Sequence, residues 1–489
     1  MIETPIIRRA AILLAAAMLC FAGPSCEVGP NYRRPALDVP TKYKSATTQE
    51  SSPPVLAADW WRLFNDNTLN QLEESAVRAN TDLAAAVARV AQARAAARVT
   101  QSQFYPVVTL DPSLTRSRSS GSGANGSTLN GTSTTSRART FTNIQIPFDV
   151  SYEIDIWGRI RRLNEAALAQ VRVSEDDYQV VLQTLEADVA QNYFTLRSLD
   201  SQQRILAQTV TSFRQQVSLT QTQLNAGLVG PTDLLQAQTQ LNSTITQEVE
   251  IRRQRADVEH ALAILLGRPP TELTLESKPL DLTPPSIPAG LPADLLRRRP
   301  DVAEAEAALA AASAQIGVAV AQFYPTVTLT GAAGFESIDA AHVLDWEHRF
   351  WSIGPSVSIP IFEGGRLRAN LQQVRARYNE LLANYHGSVL IAFRDVEDSL
   401  TDLHMRADAA AAQDQAVQSA REYLRLSEVQ YRGGLATYLQ VIDAERTLLT
   451  NELSAAQLLN QRLISTVLLI KSLGGGWESG ASPATQPNH

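Results

Sequence analysis

The chain reads as a mainly α-helical protein that also carries strands suited to a bilayer. Three features of the sequence point there. The chain is written twice, its longest proline-free stretches keep a heptad, and the segments between the helices switch to an alternation of two. Composition alone settles little, since 44% apolar and 19% charged residues describe an ordinary globular protein. A formal charge of -7 with no basic stripe argues against a nucleic-acid partner, because phosphate binding draws on clustered Lys and Arg.

The N-terminus combines a basic start (Arg8, Arg9), an apolar run from Ala10 to Phe21 and small residues before Cys26, the pattern of a secretory signal. Only Cys20 and Cys26 exist, and Cys20 leaves with the signal, so the exported product has no intramolecular disulfide. A lone cysteine just after an apolar leader is a candidate for lipidation. Gly23-Pro24-Ser25 departs from the usual Leu-then-small pattern before such a cysteine, and a free thiol after ordinary signal cleavage is the plainer alternative. No run of about 18 apolar residues follows the signal, so a mature chain that spans a membrane must do it with β-strands.

The repeat covers almost the whole remaining length. Gln103-Phe104-Tyr105-Pro106 returns as Gln322-Phe323-Tyr324-Pro325, 219 residues on, and Ile146-Pro147 returns as Ile359-Pro360 at 213. Gly158-Arg159, Gly227-Leu228 and Leu266-Gly267 return as Gly365-Arg366, Gly434-Leu435 and Leu473-Gly474 at 207. The shrinking offset places extra residues in the first half, in a Ser/Gly/Thr/Asn-rich loop around Ser117 to Arg139. A second loop is expected near Glu336 to Arg349, and a proline-rich linker joins the halves.

From Gly158 to Asn225 there is no proline. Leu182, Val189, Leu196, Gln203, Val210, Val217 and Leu224 form one heptad row; Tyr178, Leu185, Asn192, Leu199, Leu206, Phe213 and Thr220 form the other. Eleven of these fourteen are apolar, and the second half repeats the register from Tyr385 and Val389 to Leu424 and Tyr431. A sustained period of 3.5 indicates coiled-coil packing. A helix of this length extends roughly 100 Å, far beyond the globular mean. Shorter helices are expected at about Thr68 to Gln103, Thr232 to Leu266, Asp301 to Gln322 and Tyr438 to Leu473.

Between the helices the period changes. Ile144, Ile146, Phe148, Val150, Tyr152, Ile154 and Ile156 occupy every even position, while Asn143, Gln145, Pro147, Asp149, Ser151, Glu153 and Asp155 occupy the odd ones. Trp351, Ile353, Val357, Ile359 and Ile361 alternate with Ser352, Gly354, Ser356 and Ser358, and the strands beginning at Phe104 and Phe323 alternate similarly. Such segments suit transmembrane strands with lipid on one side and water on the other. Aromatic residues near the strand ends (Tyr105, Trp157, Tyr324, Phe350, Trp351) fit an interfacial girdle. Asp149, Glu153 and Asp155 would then face the lumen and make it acidic. Two hairpins supply four strands, and the smallest spanning barrels have about eight, so closure requires further copies of the chain. Chain direction puts the turns at Ala226 to Pro231 and Gly433 to Thr437 at one shared distal end, the place for a gate and for partners. The six histidines show no metal-ligand spacing, and neither a phosphate-binding Gly-rich loop nor a Gly-x-Ser-x-Gly elbow occurs, so catalysis, a cofactor and a metal are not expected.

With those residues in hand, the chain resembles the outer-membrane factors of resistance-nodulation-division (RND) efflux pumps, the TolC-like channels, and their lipoprotein branch often labelled NodT. The matching motifs are Cys26 with Val28-Gly29-Pro30-Asn31-Tyr32, Asp59-Trp60-Trp61-Arg62-Leu63-Phe64, Arg298-Arg299-Pro300-Asp301-Val302, the two Phe-Tyr-Pro strand starts, and Leu473-Gly474-Gly475-Gly476-Trp477. The resemblance implies a homotrimer with a twelve-stranded β-barrel, a periplasmic α-barrel and an equatorial domain, anchored in the outer membrane by a covalent lipid on Cys26. It implies passive conduction of drugs or other toxic solutes delivered by an inner-membrane RND pump through a periplasmic adaptor, the membrane fusion protein. By motif position, Leu439, Asp443 and Arg446 match the periplasmic gate, with Asp443 ringing the pore and restrained by bonds involving Arg446. Glu445 stands where relatives usually carry Gln. Gly227, Leu228, Gly434 and Leu435 match the tip that docks the adaptor.

The chain is accordingly divided into a signal peptide (1–25), an N-terminal equatorial segment (26–65), a first repeat (66–267), a linker (268–293), a second repeat (294–474) and a disordered tail (475–489). The first repeat holds a helix, a hairpin at about 104–156, a long helix 158–225 and a helix 232–266. The second holds a helix, a hairpin at about 323–362, a long helix 365–431 and a helix 438–473. Two rival functions share these features: the exit duct of a type I protein secretion system, and a periplasmic coiled-coil scaffold without a pore.

Overall fold

The computed structural model describes residues 27–37, 40, 42–45, 57–118, 140–285, 287, 298–475 and 477. The signal peptide, Cys26, most of the Ser117 to Arg139 loop and nearly all of the tail lie outside the described residues. In chain order the elements are α1 (Asn67–Ala79), α2 (Thr81–Gln101), β1 (Val107–Leu110), β2 (Ser113–Arg118), β3 (Thr140–Ile154), α3 (Arg159–Asn225) and α4 (Pro231–Leu265). The second repeat follows with α5 (Pro300–Ala321), β4 (Thr326–Ser337), β5 (Arg349–Ser358), α6 (Arg366–Arg432) and α7 (Tyr438–Ser472). Strands begin after Pro106 and Pro325 rather than at Phe104 and Phe323, since a proline has no N–H to give a ladder.

One helix expected to be continuous is broken. Asn80 adopts an extended backbone between α1 and α2, and its Oδ1 accepts from the N–H groups of Asp82 and Leu83 at 2.9 Å each, capping α2. Its amide donates to the Leu265 carbonyl at 3.0 Å, so the break also ties the start of the repeat to the end of α4. A side chain at Gly267 would collide with the Ala79 carbonyl, and one at Gly474 with the Arg298 carbonyl. The two repeats thus close on themselves in the same way.

The described residues form two compact units, each assembled from parts of both repeats. One comprises residues 35–92, 172–307 and 383 onward. Its core is the aromatic turn Trp60–Phe64 packed with α1 on α3: Trp60, Trp61, Phe64 and Leu69 meet Leu185, Val189, Tyr193, Phe194 and Leu196, joined by Leu463, Val467 and Ile470. The heptad seam of α3 is therefore the buried stripe. Arg299 of the Arg298-Arg299-Pro300-Asp301 motif is buried and bonds Asp301 at 2.6 Å and Asp395 of α6 at 3.2 Å. Among the described residues one helix, α7, is apolar and long enough by composition to cross a membrane, but Val441, Leu449, Leu463 and Val467 are core residues of this unit.

The other unit comprises residues up to 34, 93–171 and 308–382 and holds the sheet. All pairings are antiparallel, in the order β1-β3-β4-β5, with β2 also on β3. Val107 lies opposite Ser151 and Ser113 opposite Gln145, one unbroken register, so β1 and β2 are a single arm interrupted at Asp111-Pro112. The sheet thus has four arms. Val107 pairs with Ser151 in the first hairpin and Thr326 with Ser358 in the second. With β1 and β4 offset by 219, Ser151 therefore corresponds to Ser358, an offset of 207 that also relates α3 to α6 at both ends. The Ile146-Pro147 match to Ile359-Pro360 is consequently not a structural equivalence, and Ile146 corresponds to Ile353. Strand alternation hides such an error, because any even slip preserves the pattern.

The chain just after residue 26 is fastened within this unit. Val28 N–H donates to the Trp157 carbonyl at 3.1 Å, while the buried Arg162 guanidinium bonds Asn31 Oδ1 at 2.5 Å and pairs with Glu27 at 3.3 Å. Gly29 packs directly on Gly317: a Cβ on Gly29 would collide with the Gly317 backbone, and one on Gly317 would press on the Arg162 side chain. The motif Val28-Gly29-Pro30-Asn31-Tyr32 does not by itself disclose this contact, whose partners lie more than a hundred residues away.

Candidate functional site

The sheet sorts its residues by face. Val108, Leu110, Leu114, Ile144, Ile146, Phe148, Val150, Tyr152 and Ile154 share one face, and the registers add Val327, Leu329 and Phe335 of β4 and Trp351, Ile353 and Val357 of β5. Asp149, Ser151, Glu153, Thr328, Thr330, Ser352 and Ser356 share the other. Among the described residues, both outer arms, β1/β2 and β5, have one unpaired edge. Trp157 stacks on Tyr324 at 4.7 Å and its indole N–H donates to the Pro325 carbonyl at 2.9 Å, an aromatic pair where strands give way to helix.

Of the three acids expected on the polar face, two are engaged at that junction. Glu153 holds the Arg159 guanidinium bidentately at 2.8 Å for both bonds. Asp155 accepts from the N–H groups of Ile160 and Arg161 at 3.1 and 3.0 Å, capping α3. Asp149, between Thr109 and Ala332, sits amid the sheet. Most of the acidity expected from this trio is thus offset locally by arginines and by the helix terminus.

At the far ends of α3 and α6 the two turns have one geometry. Gly227 and Gly434 both have φ of +74°, and Leu228 and Leu435 each send an N–H five residues back, to Gln223 at 2.9 Å and Gln430 at 2.8 Å. This is the left-handed helix stop that glycine supplies without strain. Leu228 and Leu435 are exposed at these turns. The Tyr431 hydroxyl bonds Gln223 Oε1 at 3.0 Å, which brings the two tips together at one end.

The gate segment begins α7 directly after the second tip. Tyr438, Val441 and Ile442 are buried with Ala237, against Val217, Leu424 and Tyr431, whereas Leu439, Asp443 and Arg446 lie on the exposed side, spaced by four and three residues. Within one chain Asp443 reaches the Tyr423 hydroxyl of α6, at a long 3.4 Å, rather than Arg446. Glu445 falls on the buried side. One of its carboxyl oxygens is buried without a partner, and burial together with the neighbouring Glu428 pushes it up to about 7.

A second set of acids went unnoticed in the sequence. Glu73 is fully buried with neither carboxyl oxygen bonded, and Glu186 beside it accepts only the Trp60 indole at 3.2 Å. Burial drives Glu73 well above the carboxylate range, reinforced by Glu186, and lifts Glu186 to about 8. Glu73 sits on the apolar stripe of α1 with Leu69, Leu72 and Ala76, the only available signal.

Residues 72–268 and 291–475 match the outer membrane efflux protein family, and the chain belongs to that family. It is 31% identical over 458 residues to the cation efflux system protein CusC of Escherichia coli O6:H1, covering 93% of this chain and 96% of the relative. It is 33% identical over 471 residues to the solvent efflux pump outer membrane protein SrpC of Pseudomonas putida, covering 94% and 97%. Among solved structures, the outer-membrane channel OprN superposes with a TM-score of 0.85 at 31% identity, over 92% of this chain and all of that one. The open-state MtrE channel of Neisseria gonorrhoeae superposes at 0.80 with 26% identity, over 92% and 98%. The chain has the TolC-like fold and is an outer-membrane channel protein of tripartite efflux.

Proposed function

We propose that three copies of the chain close one pore, each giving four arms to a twelve-stranded barrel, and that the assembly is lipid-anchored through Cys26. The observation that carries this is the sheet: an apolar face of bilayer-spanning length whose two outer arms leave unpaired backbone edges. Hydrocarbon tolerates neither a polar backbone edge nor an open sheet, so the edges find partners in neighbouring copies. The polar face then lines the lumen.

Drugs or other toxic solutes enter from an inner-membrane RND pump through a periplasmic adaptor, which docks at the paired tips Gly227-Leu228 and Gly434-Leu435. Leu439 and Asp443 on the exposed side of α7 narrow the entrance, with Arg446 one turn on. The protein contributes a path and a gate; the pump supplies energy and selection. Planar-bilayer recording tests this: the purified assembly should show small, rarely open conductances, and Asp443→Ala should raise conductance several-fold. Unaltered conductance in Asp443→Ala removes Asp443 from the gate; no conductance from any preparation removes the pore.

A further inference from the structure

The closure proposed above leaves open which residue of one copy meets which residue of the next, and the internal repeat answers it. We infer that β5 of one copy pairs antiparallel with the β1/β2 arm of its neighbour in a single register, with Ser356 opposite Ser113 of the next copy.

The argument is one of quasi-equivalence. Within the chain, the first hairpin meets the second through β3 and β4, from Ile144 opposite Ser337 to Ile154 opposite Val327. Residues of β5 correspond to β3 at an offset of 207, and those of β1/β2 to β4 at 219, as the two hairpin registers require. Carrying the β3–β4 contact across with those offsets gives a β5 partner in the next copy from Trp351 opposite Arg118 to Ile361 opposite Val108.

Two features on the page fit this register without having been used to derive it. Faces agree along its length: Pro355 meets Leu114, Ile359 meets Leu110 and Ile361 meets Val108 on the apolar side, while Ser352 meets Ser117, Gly354 meets Thr115 and Ser356 meets Ser113 on the polar side. A slip of one residue would set every apolar residue against a polar one. Second, Ile359 and Ile361 continue the alternation of β5 past its last paired residue and are exposed, Ile361 at 95%. Among the described residues they have no strand partner, and the register gives them β1 of the neighbour. The contact so derived keeps the eleven pairs of β3–β4 from which it is carried over. The symmetry is imperfect at one point: the place of Trp157 is taken by Gly364, so the indole stacked on Tyr324 within the chain has no counterpart against Tyr105 of the next copy.

Cysteine cross-linking in isolated outer membranes, using the full chain, decides the matter. Opposed residues of an antiparallel pair lie about 4.5–5.5 Å apart, within disulfide reach. Mild oxidation of Ser356→Cys/Ser113→Cys should yield covalent dimers and trimers at least tenfold more readily than Ser356→Cys paired with Asp111→Cys or Thr115→Cys. Gly354→Cys/Thr115→Cys serves as a second test of the same register, and Ala332→Cys/Ser352→Cys, paired within the chain, controls for oxidation. If a two-residue slip cross-links best, the register is wrong while closure stands. If no inter-copy pair reacts although the internal control does, closure itself fails.

Discussion

Along α3 the heptad residues Val189, Leu196 and Phe213 are at most 2% exposed, whereas along β5 Trp351 and Ile353 are 75% and 69% exposed. Both stripes are apolar and strictly periodic, and each chain builds both. The helical seam finds its partners inside the chain, so its apolar area leaves water on folding. The sheet face finds none there, and a soluble protein would not keep so large an apolar surface open. The contrast teaches that periodicity tells which residues share a face, and that burial in the single chain tells which solvent that face is meant for.

Breaking the seam should have the largest effect. Phe194 is fully buried and lies 4.8 Å from the ring of Phe64, so Phe194→Ala should cost about 3–5 kcal/mol, read as a lowered denaturant midpoint of the detergent-solubilised protein. Ile353→Lys attacks the other stripe. It should leave the helices intact and cost about 2–4 kcal/mol of membrane stability, seen as lost outer-membrane recovery, while Ser352→Lys on the opposite face is tolerated. Equal damage from both lysines would mean that neither face of the sheet meets lipid.

The seam also hides charge, and there the sign can be worked out. Glu186 is raised to about 8 and Glu73 is raised as well, against unfolded values near 4.5. The folded chain keeps protons that the unfolded chain has lost, so the stability they contribute is complete below about 4.5 and lost as pH rises through about 8. Melting temperature should therefore fall across that window, and Glu73→Gln should flatten the slope and raise the melting temperature at pH 8. A slope unchanged in Glu73→Gln would exclude the pair as its source. Glu445 is the smaller, partly solvated case. Raised to about 7, it should loosen the start of α7 as pH passes that value, and Glu445→Gln should keep the amide protons of residues 438–449 protected at pH 8.

How much of this was legible follows from what each feature depends on. The long helices and the strand faces depend on local period, and the heptad rows from Tyr178 to Leu224 and the alternation from Asn143 to Ile156 displayed it openly. The tips were legible because a glycine at the helix stop is a local necessity, and the repeat supplied it twice. Asn80 carried a cap signal that the Ala-rich stretch after it obscured. Glu73 and Glu186 depend on a turn more than a hundred residues from Glu186, and Arg162 on a segment equally remote, so no local pattern announces them. The false Ile-Pro equivalence arose because strands slipped by six look alike until pairing fixes them. For the gate, Leu439, Asp443 and Arg446 were drawn from motif position alone, and the contact of Asp443 with Tyr423 depends on how α6 and α7 pack.

The most direct test of the account is the protein mass, corrected for bound detergent, of the mature chain extracted from outer membranes. Closure of a twelve-stranded barrel from four arms per copy predicts three chains. A single chain with its edges unpaired, or a monomer recovered from the periplasm without detergent, would contradict it.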